Sequence, residues 1–317
     1  MSAALLSEAS PQTPSIVSGD LTSDLSITAI ELHELLHLAT DLKRNPTRYA
    51  SSLQHRYLSL LFEKPSLRTR LTFELAIKQL GGDSVASIGP IGDREPIKDI
   101  ARNLDRWTNA IVARTFLQST IDELASCSRV PVINALSDMY HPCQSFADLQ
   151  TIQERFETLS GIKLCFVGDG NNVAHSLLLN GARMGMHVCV ACPVGYEPNA
   201  DVLAQANQFA RQHGGAVSVT NDPAAGVHAA QVIYTDVWTS MGQESEAAER
   251  LKTFAPFQVD ANLMSAASRE AIFLHCLPAK RGQEVTDAVI ESPQSAVFDQ
   301  AENRLHAQKA LLLMLLA

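Results

Sequence analysis

Short apolar runs alternate with stretches of helical spacing along most of this chain. Tyr57–Phe62 is a run suited to a buried strand, and the apolar residues after it recur every three or four positions. A second series of the same kind starts at Lys163–Val167. Local signals predict a first helix with a Thr28–Glu31 capping box, a later helix that Gly81 closes, and a helix from Ile97 to Trp107. Such alternation is typical of parallel sheets with helices on both faces, and 317 residues suffice for two domains of roughly 150 residues. We therefore predict an α/β chain with two domains, each a parallel sheet flanked by helices.

The turn after the first strand carries hydroxyl and guanidinium groups. Pro65 stops any earlier helix, and Ser66 is a favourable N-cap whose hydroxyl can accept a backbone N–H. Arg68, Thr69 and Arg70 then lie at a helix start, where free N–H groups and the helix dipole favour an anion. These groups suit a phosphate. A capped helix with solvated arginines explains the same residues about equally well.

Composition limits the partners of the chain. A net charge of −9 argues against nucleic acid or an anionic membrane surface as the main partner. No apolar run approaches the roughly 20 residues of a membrane span. Residues 1–26 lack the pattern of a secretory signal, so we expect a flexible tail and a cytoplasmic protein. The six cysteines are scattered, and Cys189–Cys192 has no second ligand pair, so we expect neither a disulfide framework nor a metal site.

Further polar residues follow other predicted strands. Ligands of such sheets bind beyond the carboxyl ends of the strands, and Arg114 ends the strand that begins at Ala110. Gly168–His175 opens like a dinucleotide fingerprint, but its third glycine is missing. We predict instead an amino-acid-binding turn in which Asn172 presents its amide, and no cofactor.

Five motifs carry a resemblance to a known family. They are, in chain order, Ser66-Leu67-Arg68-Thr69-Arg70, the His-Pro-x-Gln of 141–144 with Asp148-Leu149, the Asp-x-Trp-x-Ser-Met-Gly of 236–242, His275-Cys276-Leu277-Pro278, and Gln300-Ala301-Glu302-Asn303-Arg304. In these motifs the chain resembles the ornithine carbamoyltransferases of the aspartate/ornithine transcarbamoylase superfamily, from about residue 27 to the C-terminus. Leu67 is a departure, because the family usually has Thr there, and the change removes one side-chain hydroxyl.

The resemblance implies a role for each matching residue. Carbamoyl phosphate would be bound by Ser66, Leu67, Arg68, Thr69, Arg114, His141, Gln144, Cys276, Leu277 and Arg304. Ornithine would be bound by Asn172, Asp236, Ser240 and Met241. The catalytic residues would be Arg114, His141, Gln144, Asp236 and Cys276. This division is chemically sensible, because donors aimed at a carbonyl oxygen stabilise the negative charge that grows there when an amine attacks.

The resemblance also implies a reaction and an assembly. The chain would transfer the carbamoyl group of carbamoyl phosphate to the δ-amine of L-ornithine, giving citrulline and phosphate, a step of arginine biosynthesis and the urea cycle. Residues 27–150 would bind carbamoyl phosphate and residues 151–298 would bind ornithine. A C-terminal helix over residues 299–317 would return to the first domain. Because the family forms trimers, we expect a homotrimer or a multiple of it.

Several alternatives stay open at this point. The acceptor could be N-acetylornithine, N-succinylornithine or putrescine, although the residues from Asp236 to Gly242 have the ornithine form. A non-catalytic binding protein or, less favoured, a dinucleotide enzyme could also use this fold. The group that takes the proton from the δ-ammonium is undecided between a thiolate at Cys276 and a carboxylate. The physiological direction is open as well.

Overall fold

Two parallel sheets lie one after the other along the chain in the computed structural model, which describes residues 14–64, 66–239 and 244–317. The first sheet has the strand order β2-β1-β3-β4, with β1 Tyr57–Phe62, β2 Asp83–Ile88, β3 Ala110–Arg114 and β4 Val132–Leu136. The second has the order β7-β6-β5-β8-β9, with β5 Lys163–Val167, β6 His187–Ala191, β7 Ala216–Thr220, β8 Val232–Thr235 and β9 Ile272–His275. The predicted fold class is confirmed.

Helices fill most of the connections between these strands. The α-helices are α1 Ala29–Arg44, α2 Leu67–Gln79, α3 Ile97–Trp107, α4 Gln118–Cys127, α5 Pro142–Phe156, α6 Asn172–Arg183, α7 Ala200–His213, α8 Pro223–Val227, α9 Ala247–Phe254, α10 Ala261–Ser265, α11 Asp287–Ile290 and α12 Val297–Leu316. None of the helices in the described part of the chain is both long enough and apolar enough to cross a membrane.

The register of the strands aligns their carboxyl ends. Phe62 at the end of β1 is the partner of Arg114 at the end of β3. In the second sheet, Val167 of β5 pairs with Thr235 of β8, and Thr235 pairs with His275 of β9. Residues that directly follow these strands are therefore neighbours, as the rule for parallel sheets predicts.

The helix ends follow the predicted local chemistry. Thr28 caps α1 through its hydroxyl, which accepts the Glu31 N–H at 3.2 Å, while the Glu31 carboxylate accepts the Thr28 N–H at 2.7 Å. At the end of α2, Gly81 takes a positive φ of 96° and its N–H bonds the Lys78 carbonyl at 3.1 Å. The predicted capping box and glycine stop are both confirmed.

The last helix returns to the first sheet. α12 packs against α1, α2 and α5, and its Leu311 and Leu312 are fully buried in the core that these helices share. The amide oxygen of Asn303 accepts the Lys43 ammonium at 2.8 Å, so the contact has a polar part as well. The expected return of the C-terminal helix is therefore present.

The segment before α1 is packed. Leu21 is fully buried, and its N–H and C=O bond Val132 and Asn134 of β4 at 2.9 and 2.8 Å. Asp24 is also fully buried, in a short 3-10 helix over Asp24–Ser26. The predicted flexible tail therefore does not extend through residues 16–26. Sequence periodicity misses this segment because its buried residues are isolated and one of them is charged. Residues 1–13 lie outside the described part of the chain.

Candidate active site

The strand ends bring together side chains that are far apart in the sequence. Arg114 ends β3, Asp236 follows β8 and Cys276 follows β9. Gln144 reaches the same place from the first turn of α5, and Arg304 reaches it from α12. Hydrogen bonds and charge interactions among these groups join the two sheets and the last helix in one buried cluster.

The turn after β1 is built differently from its prediction in one respect. Ser66 occupies the N-cap position of α2, but its side chain makes no cap hydrogen bond. Its hydroxyl instead accepts from the Arg114 guanidinium at 3.2 Å. The predicted position is confirmed and the predicted cap bond is wrong. Because the side chain does not use them, the first N–H groups of α2 are available to an anion.

The other residues of this turn divide between the cluster and the surface. Thr69 is buried and its hydroxyl accepts from the Arg304 guanidinium at 2.8 Å. Leu67 is 67% exposed, so it lies outside the cluster. Arg70 pairs with Glu74 at 3.6 Å, one helical turn away. Of the two arginines considered for phosphate, Arg68 is the one that lies near the cluster.

Three guanidinium groups concentrate positive charge here. Burial, followed by the neighbouring charges of Arg304 and Arg68, lowers the pKa of Arg114 to about 10. Burial likewise lowers the pKa of Arg304, which is almost fully buried. Buried like charges destabilise one another unless an anion lies between them. The cluster is therefore electrostatically suited to a small anion such as a phosphate.

His141 and Gln144 face these arginines. Burial, followed by the charges of Arg304 and Arg114, lowers the pKa of His141 well below its ordinary value, so the imidazole is neutral. Its Nδ1 atom is buried and has no hydrogen-bond partner among the described residues. The Gln144 amide oxygen accepts from Arg304. A neutral imidazole with one unmatched nitrogen and an amide oriented by Arg304 thus lie near the arginines.

Asp148 fixes the orientation of that amide. Its Oδ1 atom accepts from the Gln144 amide nitrogen at 2.7 Å and from the Gln300 amide nitrogen at 2.6 Å. The Gln300 oxygen in turn accepts the His275 N–H at 2.9 Å. This carboxylate therefore links α5, α12 and β9, and it leaves the oxygen of Gln144 turned toward Arg304. Burial raises the pKa of Asp148 to about 7.

Replacing Asp148 by Asn should flatten the pH dependence of stability. The carboxyl gives up its proton near pH 4 when unfolded and near pH 7 when folded, so the folded protein loses stability as the pH rises between them. The difference corresponds to roughly 4 kcal/mol. We expect the melting temperature of the wild type to fall more between pH 5 and pH 8 than that of Asp148→Asn.

The control for this measurement is Asp83→Asn. Asp83 is exposed, and the backbone N–H of Ser84 together with Lys78 lowers the pKa of its carboxyl. Its charge is constant between pH 5 and pH 8, so this variant should follow the wild-type pH dependence. Equal slopes for the wild type and Asp148→Asn would contradict the prediction.

Asp236 and Cys276 form the other half of the cluster. The Cys276 thiol donates to Asp236 Oδ1 at 2.9 Å, and Asn171 donates its amide to Oδ2 at 2.9 Å. Burial, followed by the charge of Asp236, raises the pKa of Cys276 well above its ordinary value. The thiol therefore keeps its proton beside the carboxylate. The sequence left a Cys276 thiolate and a carboxylate as candidates to take the proton from the δ-ammonium. The geometry favours the carboxylate of Asp236 for this role.

Asn171, which the sequence motifs did not indicate, contacts the site beside the predicted Asn172. Its side-chain oxygen caps α6 by accepting the N–H groups of Val173 and Ala174, and its nitrogen reaches Asp236. The Asn172 amide donates instead to the Ser137 carbonyl at 2.6 Å. The sequence feature that could have identified Asn171 is the preference for Asn at the N-cap before an apolar helical run.

His275 belongs to the only group among the described residues that offers three potential metal ligands within 4.8 Å, together with Asp236 and Cys276. Both ring nitrogens of His275 already have partners: Nδ1 accepts the Leu277 N–H at 2.8 Å and Nε2 lies 3.2 Å from Glu284. Hydrogen bonding thus accounts for the position of this imidazole. The bond from the Leu277 N–H also ties the backbone after Cys276 to this imidazole.

Two residues expected to bind the amino acid cannot be placed. Ser240 and Met241 lie outside the described residues. The nearby Trp238 is buried, and its ring stacks on Phe254 of α9 at a centroid distance of 6.0 Å. The indole of this motif therefore has a packing role in the second domain.

Two protein-family models match the two halves of this chain. Residues 20–154 match the model of the aspartate/ornithine carbamoyltransferase carbamoyl-P binding domain. Residues 160–315 match the model of the aspartate/ornithine carbamoyltransferase Asp/Orn binding domain. Together these matches span both parallel sheets, α1 and most of α12.

Relatives named ornithine carbamoyltransferase match nearly the whole chain. An ornithine carbamoyltransferase of Acidothermus cellulolyticus is 52% identical over 93% of this chain and 95% of its own length. One of Synechocystis is 50% identical over 94% and 96%. The solved structure of ornithine carbamoyltransferase from Pyrococcus furiosus superposes with a TM-score of 0.92 at 46% identity, covering 95% of this chain and 98% of that one. On this evidence the chain belongs to the aspartate/ornithine carbamoyltransferase family.

Proposed function

We propose that this protein transfers the carbamoyl group of carbamoyl phosphate to the δ-amine of L-ornithine. The observation that carries the proposal is the cluster itself, in which the buried guanidinium of Arg304 and the half-buried ones of Arg114 and Arg68 face a carboxylate and a neutral thiol. In the reaction, the δ-ammonium first gives up one proton and its nitrogen bonds the carbamoyl carbon. The bond from that carbon to the phosphate oxygen then breaks, and the nitrogen gives up a second proton, which the departing phosphate can carry. The products are citrulline and phosphate.

The phosphate is bound at the start of α2 in this proposal. Free backbone N–H groups of the first turn and the Ser66 hydroxyl supply hydrogen bonds. Arg68 and Arg114 supply charge, and a guanidinium presents two donors in one plane, which matches a phosphate. Binding an anion here relieves the repulsion between buried arginines. Arg68→Ala should therefore act mainly through carbamoyl phosphate.

The carbamoyl group lies toward His141 and Gln144. A neutral imidazole can donate one N–H to the carbonyl oxygen, and Arg114 can donate a second. These donors are fixed before the substrate arrives, which is the condition for stabilising charge that develops during attack. The Gln144 oxygen, oriented by Asp148, can accept from the carbamoyl NH2 group. The reaction then depends on positioning and electrostatics.

The amino acid binds between β8 and β9. Asp236 supplies a carboxylate for an ammonium group of ornithine, and the protonated Cys276 thiol lies directly against it. Asn171 holds the second carboxylate oxygen, so the group has one orientation. We propose that residues 27–150 bind carbamoyl phosphate, residues 151–298 bind ornithine and residues 299–317 brace the first domain.

The test is citrulline formation from carbamoyl phosphate and L-ornithine, with N-acetylornithine, N-succinylornithine, putrescine and aspartate assayed in parallel. Turnover with ornithine alone supports the proposal. Turnover with another amine retains the carbamoyl-phosphate site and overturns the assignment of the acceptor. Failure with all five amines at catalytic enzyme concentrations overturns the proposal as a whole.

Arg68→Ala should raise the KM for carbamoyl phosphate by about tenfold to a hundredfold, because a charged hydrogen bond is lost. The KM for ornithine should change less than about threefold. Arg70→Ala is the matched control, because Arg70 is in the same turn but pairs with Glu74. Steady-state kinetics with each substrate varied separately checks both. A raised KM for ornithine alone would contradict the phosphate assignment.

We also propose that the protein forms a homotrimer. Leu67, Leu71 and Leu75 follow one another on successive turns of α2 and are 67%, 39% and 46% exposed. β2 is an edge strand beside them, and its Val85 is 70% exposed. An apolar helix stripe next to an open strand edge suits contact with another protein surface. This surface adjoins the phosphate turn.

Sedimentation should report a mass near three times 34.4 kDa for the wild type. Leu71→Glu places a charge in the apolar stripe and should shift the protein toward the monomer mass. Ile30→Glu is a control, because Ile30 is 73% exposed on α1, outside the stripe. A monomeric wild type would contradict the proposal.

The six free cysteines fit a reducing compartment, and we propose that the enzyme acts in the cytoplasm, in arginine biosynthesis.

A further inference from the structure

A buried carboxylate outside the site connects the N-terminal segment to the second domain. Leu21 joins this segment to β4, and three residues later the Asp24 carboxylate enters the space beside α6. Its Oδ2 atom accepts from the Ser176 hydroxyl at 2.5 Å, and its Oδ1 atom accepts from the Asn180 amide at 2.6 Å. Asp24 is fully buried, so these two hydrogen bonds replace those that its carboxylate would accept from water.

The same face of α6 holds the loop that carries His141. The Asn172 amide donates to the Ser137 carbonyl at 2.6 Å, and a ring nitrogen of His175 lies 2.9 Å from the Met139 carbonyl. Ser176, one turn further along, accepts the backbone N–H of His141 at 2.8 Å. Three side chains of α6 thus fix the main chain between β4 and α5.

The direction of the hydrogen bonds gives Asp24 its importance. The Ser176 hydroxyl has one proton, which goes to Asp24, and its lone pairs are then turned toward the His141 N–H. Asn180 is equally constrained, since its nitrogen donates to Asp24 and Ser145 and its oxygen accepts from Arg183. The position therefore requires a group with two acceptors and no donor, which an ionised carboxylate provides.

The surroundings keep this carboxylate ionised near neutral pH. Burial raises the pKa of Asp24, and the bond from Ser176, the charge of Arg183 and the bond from Asn180 limit that rise, so that the pKa is about 6. Tyr140 and Cys143 also interact with the charge of Asp24, and burial raises the pKa of both. Above about pH 6 Asp24 is thus an acceptor.

We propose that Asp24 is a positioning residue for carbamoyl transfer, which holds the backbone of His141 in place through the hydroxyl of Ser176. Asp24 touches neither the arginine cluster nor Asp236, and its effect on the site passes through one serine. The inference rests on the proposed function for its catalytic part. The hydrogen bond at His141 can be observed without any assay of activity.

The experiment compares Asp24→Asn, Ser176→Ala and the double variant. An amide at position 24 brings a donor where only acceptors fit, and alanine at 176 removes the connecting hydroxyl. Both single variants should lower kcat by about tenfold to a hundredfold, since a small misplacement of a reacting group has effects of this size. The double variant should be no slower than the worse single variant, because both changes break one connection.

Asp20→Asn is the matched control in the same segment. Its carboxylate accepts the Val132 N–H at 2.7 Å, and an asparagine oxygen can keep that bond. This variant should keep the wild-type kcat. Hydrogen exchange of the His141 amide, followed by NMR, is the second readout. It should be faster in Asp24→Asn and Ser176→Ala and unchanged in Asp20→Asn.

Each outcome decides one part of the inference. Unchanged His141 exchange in both single variants, or additive losses of kcat, would overturn the positioning role. If Asp24→Asn fails to fold, Ser176→Ala tests the same connection with Asp24 still bound to Asn180. If the wild type itself forms no citrulline, the proposed function and the catalytic part of the inference both fail. The exchange data still test, independently of activity, whether the hydrogen bond at His141 depends on Asp24.

Discussion

Asp236→Asn is expected to lower kcat/KM for ornithine by about a hundredfold to a thousandfold, because a buried ammonium would lose its charged partner. The replacement also disturbs the carboxylate's own bonds. One oxygen accepts from the Cys276 thiol and the other from the Asn171 amide, so an NH2 group on either side faces a donor. The KM for carbamoyl phosphate should change little, since the arginine cluster is intact.

Steady-state kinetics with each substrate varied at a saturating level of the other checks this expectation. Asp222→Asn is the control, because it is an aspartate in the same domain whose Oδ1 atom caps α8. Asparagine is an equally good N-cap, so that variant should match the wild type. An Asp236→Asn enzyme that loses affinity for carbamoyl phosphate and keeps its affinity for ornithine would contradict the assignment of Asp236 to the ornithine site.

Arg304→Lys is expected to lower kcat/KM for carbamoyl phosphate by about a hundredfold, or about 2.7 kcal/mol of transition-state stabilisation. Arg304 donates one nitrogen to the Gln144 oxygen and another to the Thr69 hydroxyl, and so it joins the helix that carries Gln144 to the phosphate turn. An ammonium keeps the charge but has no planar pair of donors. It can reach only one of the two partners.

Arg281→Lys is the control, because it shows whether replacing an arginine by lysine affects the enzyme at a position outside the cluster. Arg281 is 40% exposed in its side chain and pairs with Asp287 and Glu291 at the surface, where lysine can replace it. Its kinetics should be those of the wild type. The prediction would be wrong if Arg304→Lys kept full activity, because charge alone would then suffice at that position.

The sequence predicts what local chemistry decides. Buried strands read as apolar runs, and the helix from Ile97 to Trp107 has the same bounds in the structure as in the prediction. The parallel arrangement follows from the alternation, and with it the meeting of Arg114 with residues that follow other strands. Local rules also find Thr28 and Gly81, because a cap or a helix stop depends on a few neighbouring residues.

Contacts over long sequence distances are not visible in this way. The hydroxyl of Ser66 has a good local partner in the helix, yet it accepts from Arg114, 48 residues away. The burial of Asp24 depends on Ser176, which is 152 residues away. The resemblance to known motifs named most of the candidate site, but it did not indicate Asn171 or the role of Asp148 between Gln144 and Gln300.

The position of α12 has a consequence for how the protein is made. This helix fills the core against α1, α2 and α5, although the ribosome synthesises it long after those helices. Domains usually fold in the order of their synthesis. Here the half that emerges first has an apolar gap until the second sheet has been translated. Nascent chains stalled before Val297 should therefore expose that gap to chaperones, and the first half becomes complete only when the last helix docks.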